Sequence, residues 1–137
     1  NFPFEQIVGF LSKLDLIICD IKLFDNDRHL EYTGASNQMI LENVIRLEKL
    51  GIPFIVRTPL IPGDTDNEKN IQAISQYISE FNNLIRYELL NFNALGAAKY
   101  ESLNVKNNFK SALALPESRL RELTGIAEST GLRVKVS

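Results

Sequence analysis

Three short, β-rich apolar runs punctuate this chain: Leu16–Leu23 (LIICDIKL), Pro53–Thr58 (PFIVRT) and Ile85–Leu90 (IRYELL). Segments of helical periodicity separate them, and this alternation constrains the fold more than any other feature. A strand followed by a helix and a second strand closes most readily as parallel pairing through a right-handed crossover. Runs apolar on both faces, such as LIICDIKL, read as buried strands of a parallel sheet.

The helical segments have recognisable ends. Pro3–Leu14 places Phe4, Ile7, Val8 and Leu11 on one face. Asp25–Tyr32 reads as a short helix ended by Thr33 and Gly34. Ser36 is a suitable N-cap for a helix running to Leu50, with Ile40, Leu41, Val44, Ile45 and Leu47 as its stripe and Gly51 as its stop. After the turn-rich Pro59–Asp66, Thr65 or Asp66 can cap a helix over Asn67–Phe81, where Ile71, Ile74, Ile78 and Phe81 recur. Asn91–Leu115 is long and irregular, and such loops are usually functional or disordered. Pro116 opens a last helix to Thr130 with Leu120, Leu123 and Ile126 inward, Gly131 stops it, and Leu132–Val136 closes as a short strand. Three βα units are too few for a barrel of eight. The expected architecture is α/β with parallel strands, either a small open domain or part of a barrel.

At 137 residues the chain fits one domain, or one substantial piece of one. Fifteen basic against 17 acidic residues give a formal charge of −2, with no clustered basic excess of the kind a nucleic-acid surface needs. No apolar run approaches the roughly 20 residues that span a bilayer. Phe2–Leu11 lacks a basic flank and carries Glu5, which argues against a signal peptide. The single cysteine, Cys19, forms no intrachain disulfide, and the expected compartment is reducing and cytoplasmic. The opening Asn1, directly before a helical segment, suggests a cut from a longer protein.

In parallel α/β folds functional groups gather at the C-terminal strand ends. Three ends here carry polar groups. Asp20 and Lys22 share one face of their strand, with Ile21 on the other. There they can hold a polar ligand, Asp20 a cation or hydroxyls and Lys22 a carboxylate or hydroxyl. Alternatively they form an ion pair, or Lys22 leaves for water. Arg57, at the end of PFIVRT, is an anion clamp or one half of a salt bridge across the sheet rim. Asn93, after the third strand, offers a donor and an acceptor, or simply turn chemistry. His29 reads as a surface residue, Cys19 as a small core filler facing away from Asp20 and Lys22, and Lys99–Tyr100 as an exposed part of the long loop. There is no Gly-rich phosphate loop, Ser–His–Asp arrangement or zinc-ligand spacing.

Taken in order, DLIICDIKLFDNDRHLEYTG, FIVRTPLIPGDTD and YELLNFNALGAAKY resemble the activating enzymes of glycyl radical enzymes, the pyruvate formate-lyase activating enzyme family of the radical S-adenosylmethionine superfamily. The resemblance covers nearly the whole chain and implies the C-terminal half of a partial (β/α)6 barrel. It implies a [4Fe–4S] cluster held by an N-terminal CxxxCxxC loop, S-adenosylmethionine chelating the fourth iron, and reductive cleavage that lets a 5′-deoxyadenosyl radical take a hydrogen atom from a partner's glycine. Residue by residue, it implies S-adenosylmethionine contacts for Asp20, Lys22 and Arg57, and a monovalent cation near Asp20. Asn93 stands where relatives often carry a histidine near the cofactor, and an amide there is implied to hydrogen-bond it as well. The loop Gly96–Leu103 is implied near the mouth where the partner's glycine enters. The implied partners are a glycyl radical enzyme and an electron donor such as flavodoxin or ferredoxin, with no nucleic acid and no membrane. The cluster motif is absent, so the chain is expected to be a fragment, inactive by itself. A radical S-adenosylmethionine enzyme with another substrate and a catalytically silent α/β binding module are the competing readings.

Overall fold

The computed structural model describes residues 3–93, 100, 102–104, 106, 109 and 111–137. Among them the chain runs α1 (Phe4–Leu11), β1 (Ile17–Asp20), α2 (Asn26–Thr33), α3 (Gln38–Leu50), β2 (Phe54–Leu60), α4 (Glu68–Ile78), β3 (Leu84–Asn91), α5 (Glu117–Glu128) and β4 (Val134–Val136). The strands form one sheet in the order β1-β2-β3-β4, and every pair is parallel. Sequential order with parallel pairing is what successive right-handed crossovers produce, and it is the order of a barrel wall.

The core lies on one side of this sheet. Ile17 and Ile21, Phe54, Val56 and Leu60, and Tyr87 and Leu89 pack against Val44 and Leu47 of α3, Ile71, Ile74 and Ile78 of α4, and Leu123 and Ala127 of α5. Among the described residues no helix layer covers the opposite side, and this changes the reading of the first strand. LIICDIKL is not buried on both faces: Leu16 and Ile18 are 42% and 46% exposed. Among the described residues β1 sits at the sheet edge with helices on one side.

The helix starts also differ in detail. Asn37, not Ser36, is the cap residue of α3, and its amide is drawn into the loop after β1, donating to the carbonyls of Leu23 and Phe24 at 3.0 and 2.7 Å. The Ser36 hydroxyl still accepts from the Gln38 amide at 3.2 Å. Asn67 caps α4, accepting from the Asn70 amide. Thr65 and Asp66 are already engaged in the preceding turn, Thr65 with Pro59 and Ile61, and Asp66 with Gly63. Asn91 closes the long connection by bracketing Leu115, donating to its carbonyl at 3.1 Å and accepting from its amide at 2.8 Å.

Candidate functional site

Strand register assembles a row of charge across the C-terminal part of the sheet. Asp20 pairs with Arg57, Arg57 with Glu88, and Glu88 with Lys135. Their neighbours Cys19, Val56, Tyr87 and Val134 all pack into or against the core. Side chains alternate along a strand, so the charged row lies on the face that the described helices leave uncovered. Lys22 follows Asp20 by two residues, and both are exposed.

Arg57 resolves one alternative in the sequence. Its Nε donates to Glu88 Oε2 at 2.7 Å, so it does form a salt bridge across the sheet. Arg86 holds the other oxygen, donating from Nε at 2.7 Å with Nη2 2.6 Å away. Glu88 is only 2% exposed. Burial pushes its carboxyl up, but hydrogen bonds from Arg86 and Arg57, with their charges, hold it below the usual range. Two guanidinium groups share one buried carboxylate, so this cluster keeps an excess positive charge. Asp20 and Lys22 form no ion pair with each other or with any other side chain among the described residues. A row that leaves one carboxylate, one ammonium and part of one guanidinium uncommitted can receive a zwitterionic or hydroxylated ligand.

The backbone beneath these groups is firmly held. Tyr87 Oη donates to Thr58 Oγ1 at 2.7 Å, and Thr58 Oγ1 donates to the Ile21 carbonyl at 2.6 Å. The Asn70 amide donates to the carbonyls of Lys22 and Thr65, both at 3.0 Å, and its oxygen accepts from the Phe24 amide at 2.9 Å. Asn37 supports the same segment from the other side. The sequence patterns did not single out Asn37 or Asn70, which supply these supports from the starts of α3 and α4. Glu88 could have been found as a carboxylate embedded in IRYELL with Arg86 two residues before it.

Asn93 is exposed and lies just past the end of β3, at the same end of the sheet. Of the loop Gly96–Leu103, residues 96–99 and 101 lie outside the described residues, and with them Lys99. His29 corrects the expectation of a surface residue. It is 4% exposed, on the inward face of α2, with Nδ1 2.8 Å from the Ala35 carbonyl. It borders a largely apolar cavity of about 450 Å³ beside β1, as do Phe4, Leu11, Asp20 and Lys22. Cys19 packs against the core, and burial together with the neighbouring Asp20 charge pushes its thiol up to about 12. No group of three or more His, Cys, Asp or Glu side chains among the described residues is arranged to hold a metal ion. A [4Fe–4S] cluster, which needs several thiolates, does not fit the one half-buried cysteine present. No helix among them is long and apolar enough to cross a membrane.

No protein-family model matches the chain. It is 38% identical over 128 residues to the isethionate sulfite-lyase activating enzyme of Nitratidesulfovibrio vulgaris, covering 92% of this chain and 41% of that protein. It is 31% identical over 124 residues to the trans-4-hydroxy-L-proline dehydratase activating enzyme of Clostridioides difficile, covering 89% and 41%. In fold it matches the crystal structure of a domain of the pyruvate-formate lyase-activating enzyme from Bacteroides vulgatus, with a TM-score of 0.78 at 20% identity over 97% of this chain and 73% of that one. The chain spans about two fifths of the length of the curated relatives it matches. It is thus related by sequence to the activating enzymes of glycyl radical enzymes and corresponds to a portion of them.

Proposed function

We propose that this chain is the portion of a glycyl radical enzyme activating enzyme that forms one wall of the S-adenosylmethionine site. The observation that carries this reading is the Asp20–Arg57 register pair, with Lys22 beside it, on the uncovered face at the C-terminal sheet edge. Asp20 would accept from the cofactor's hydroxyls or bind a monovalent cation. Lys22 would donate to a hydroxyl or carboxylate, Arg57 would present its Nη groups to an anionic group, and Asn93 would supply an amide contact at the rim. When reductively cleaved, S-adenosylmethionine supplies hydrogen-atom abstraction. The residues of this chain bind and orient it, and the cluster ligands must come from elsewhere in the activating enzyme. The proposed partners are a glycyl radical enzyme as substrate and a flavodoxin or ferredoxin as electron donor, in a cytoplasmic setting that keeps Cys19 reduced.

The test is reconstitution with iron, sulfide and S-adenosylmethionine. This chain alone is expected to form no cluster and release no 5′-deoxyadenosine. Joined to a segment that supplies the three-cysteine motif and the remaining strands, it is expected to cleave the cofactor and raise a glycyl radical signal on a partner. A cluster spectrum with cleavage from this chain alone would refute the division of labour. A joined protein that folds, holds its cluster and never responds to S-adenosylmethionine would refute the cofactor wall.

A further inference from the structure

Arg57 stands between two carboxylates in register, Asp20 on β1 and Glu88 on β3, one strand spacing of about 5 Å to either side. It bonds Glu88. The choice follows from solvation: Asp20 is exposed and water can satisfy it, whereas Glu88 is 2% exposed and would be left with one of its oxygens bare. Arg86 satisfies the other oxygen, so each Glu88 oxygen has a guanidinium partner of its own. Glu88 engages only the Nε edge of Arg57, and no other side chain among the described residues bonds the two Nη groups.

Resting on the cofactor site proposed above, we infer that Glu88 is a positioning residue: it tethers Arg57 by Nε, keeps it off Asp20, and so leaves both the Nη fork and the Asp20 carboxylate available to S-adenosylmethionine. Both Glu88 oxygens are taken by Arg57 and Arg86 and the group is buried, so it does not present itself to a ligand. Its effect is an allocation of charge. With Glu88 neutral, the nearest carboxylate for Arg57 is Asp20, and the two groups meant for the ligand would satisfy each other.

The experiment uses the chain as it is, with Glu88→Gln as the near-isosteric change and Arg86→Gln as a control that keeps the Arg57 tether. Side-chain nitrogen NMR reads the exchange of the Arg57 Nε proton with water. Slow exchange is expected in the parent and in Arg86→Gln, and exchange about tenfold faster or more in Glu88→Gln, because a hydrogen bond to a charged group is lost. Titration with S-adenosylmethionine to millimolar concentration should move the Arg57 signals in the parent, and apparent affinity should fall about tenfold in Glu88→Gln. Unchanged Arg57 exchange in Glu88→Gln would overturn the tether. Faster exchange with unaltered affinity would overturn the positioning role. If the cofactor leaves Arg57 signals unmoved in the parent chain, the cofactor wall itself is overturned, while the exchange rates still judge the tether separately.

Discussion

Replacing Thr58 by valine tests how the site-bearing segment is held. Ile21 donates its amide to the Arg57 carbonyl at 2.9 Å, as a parallel ladder requires. The next amide along β2 that would answer the Ile21 carbonyl belongs to residue 59, and Pro59 has no N–H. The Thr58 hydroxyl takes its place at 2.6 Å, and the Tyr87 hydroxyl completes the relay at 2.7 Å, with Thr58 and Tyr87 both fully buried. Tyr87→Phe removes one neutral hydrogen bond but leaves Thr58 donating to Ile21, a loss of about 1 kcal/mol. Thr58→Val strands two buried groups, the Ile21 carbonyl and the Tyr87 hydroxyl, at about 1–3 kcal/mol each, for a total of about 2–6 kcal/mol. The double variant should be less destabilised than the sum of the two, because removing the tyrosine hydroxyl relieves one of the groups the valine strands. Urea denaturation followed by circular dichroism measures all three. If Thr58→Val is no worse than Tyr87→Phe, the hydroxyl does not replace the missing ladder bond.

Asn70→Ala removes three hydrogen bonds around Lys22, Phe24 and Thr65 and should cost about 2–4 kcal/mol in thermal or chemical denaturation. Glu88 has its folded-state carboxyl held down, so its contribution is present above its unfolded value of about 4.3 and is lost as pH falls through the folded value. Chemical denaturation across the acid range should therefore show stability falling below about pH 4, and the part due to Glu88 should vanish in Glu88→Gln. Cys19 should react sluggishly with a thiol reagent at pH 8 in the folded chain and rapidly in denaturant, because its thiol is pushed up to about 12 by burial.

The alternation of strand and helix was legible because each βα unit writes its own period into the chain, and the parallel sheet follows from that alternation. The candidate row was partly legible: Asp20 and Arg57 stand at strand ends, where polar residues interrupt apolar runs. What the pattern could not supply is register. That Glu88 lies opposite Arg57, and Asp20 on its other side, depends on how three strands slide against each other. Local periodicity does not carry this information, because the packing of α3, α4 and α5 decides it. His29 escaped for a related reason. A short polar helix looks exposed by composition, and only the neighbouring cavity wall makes one of its faces an interior.

Asp20 and Lys22 give the sharpest separation between structure and function. If they were the mutual ion pair that their spacing allows, replacing both would cost stability. In the structure both are exposed and neither has an ion-pair partner among the described residues, whereas the backbone between and after them is held by Thr58, Asn70 and Asn37. Exposed side chains without partners change stability by about 0.5 kcal/mol or less when truncated. The double change Asp20→Asn with Lys22→Met should therefore leave the denaturation midpoint nearly unmoved. In a joined protein that cleaves S-adenosylmethionine it should lower affinity by tenfold or more, since two charge-assisted contacts are lost at about 1.5–3 kcal/mol each. A loss of stability beyond about 1 kcal/mol with unaltered affinity would make the two charges structural. The opposite result, a stable protein that no longer binds, is what a ligand site predicts, because residues kept ready for a ligand contribute little to the fold until it arrives.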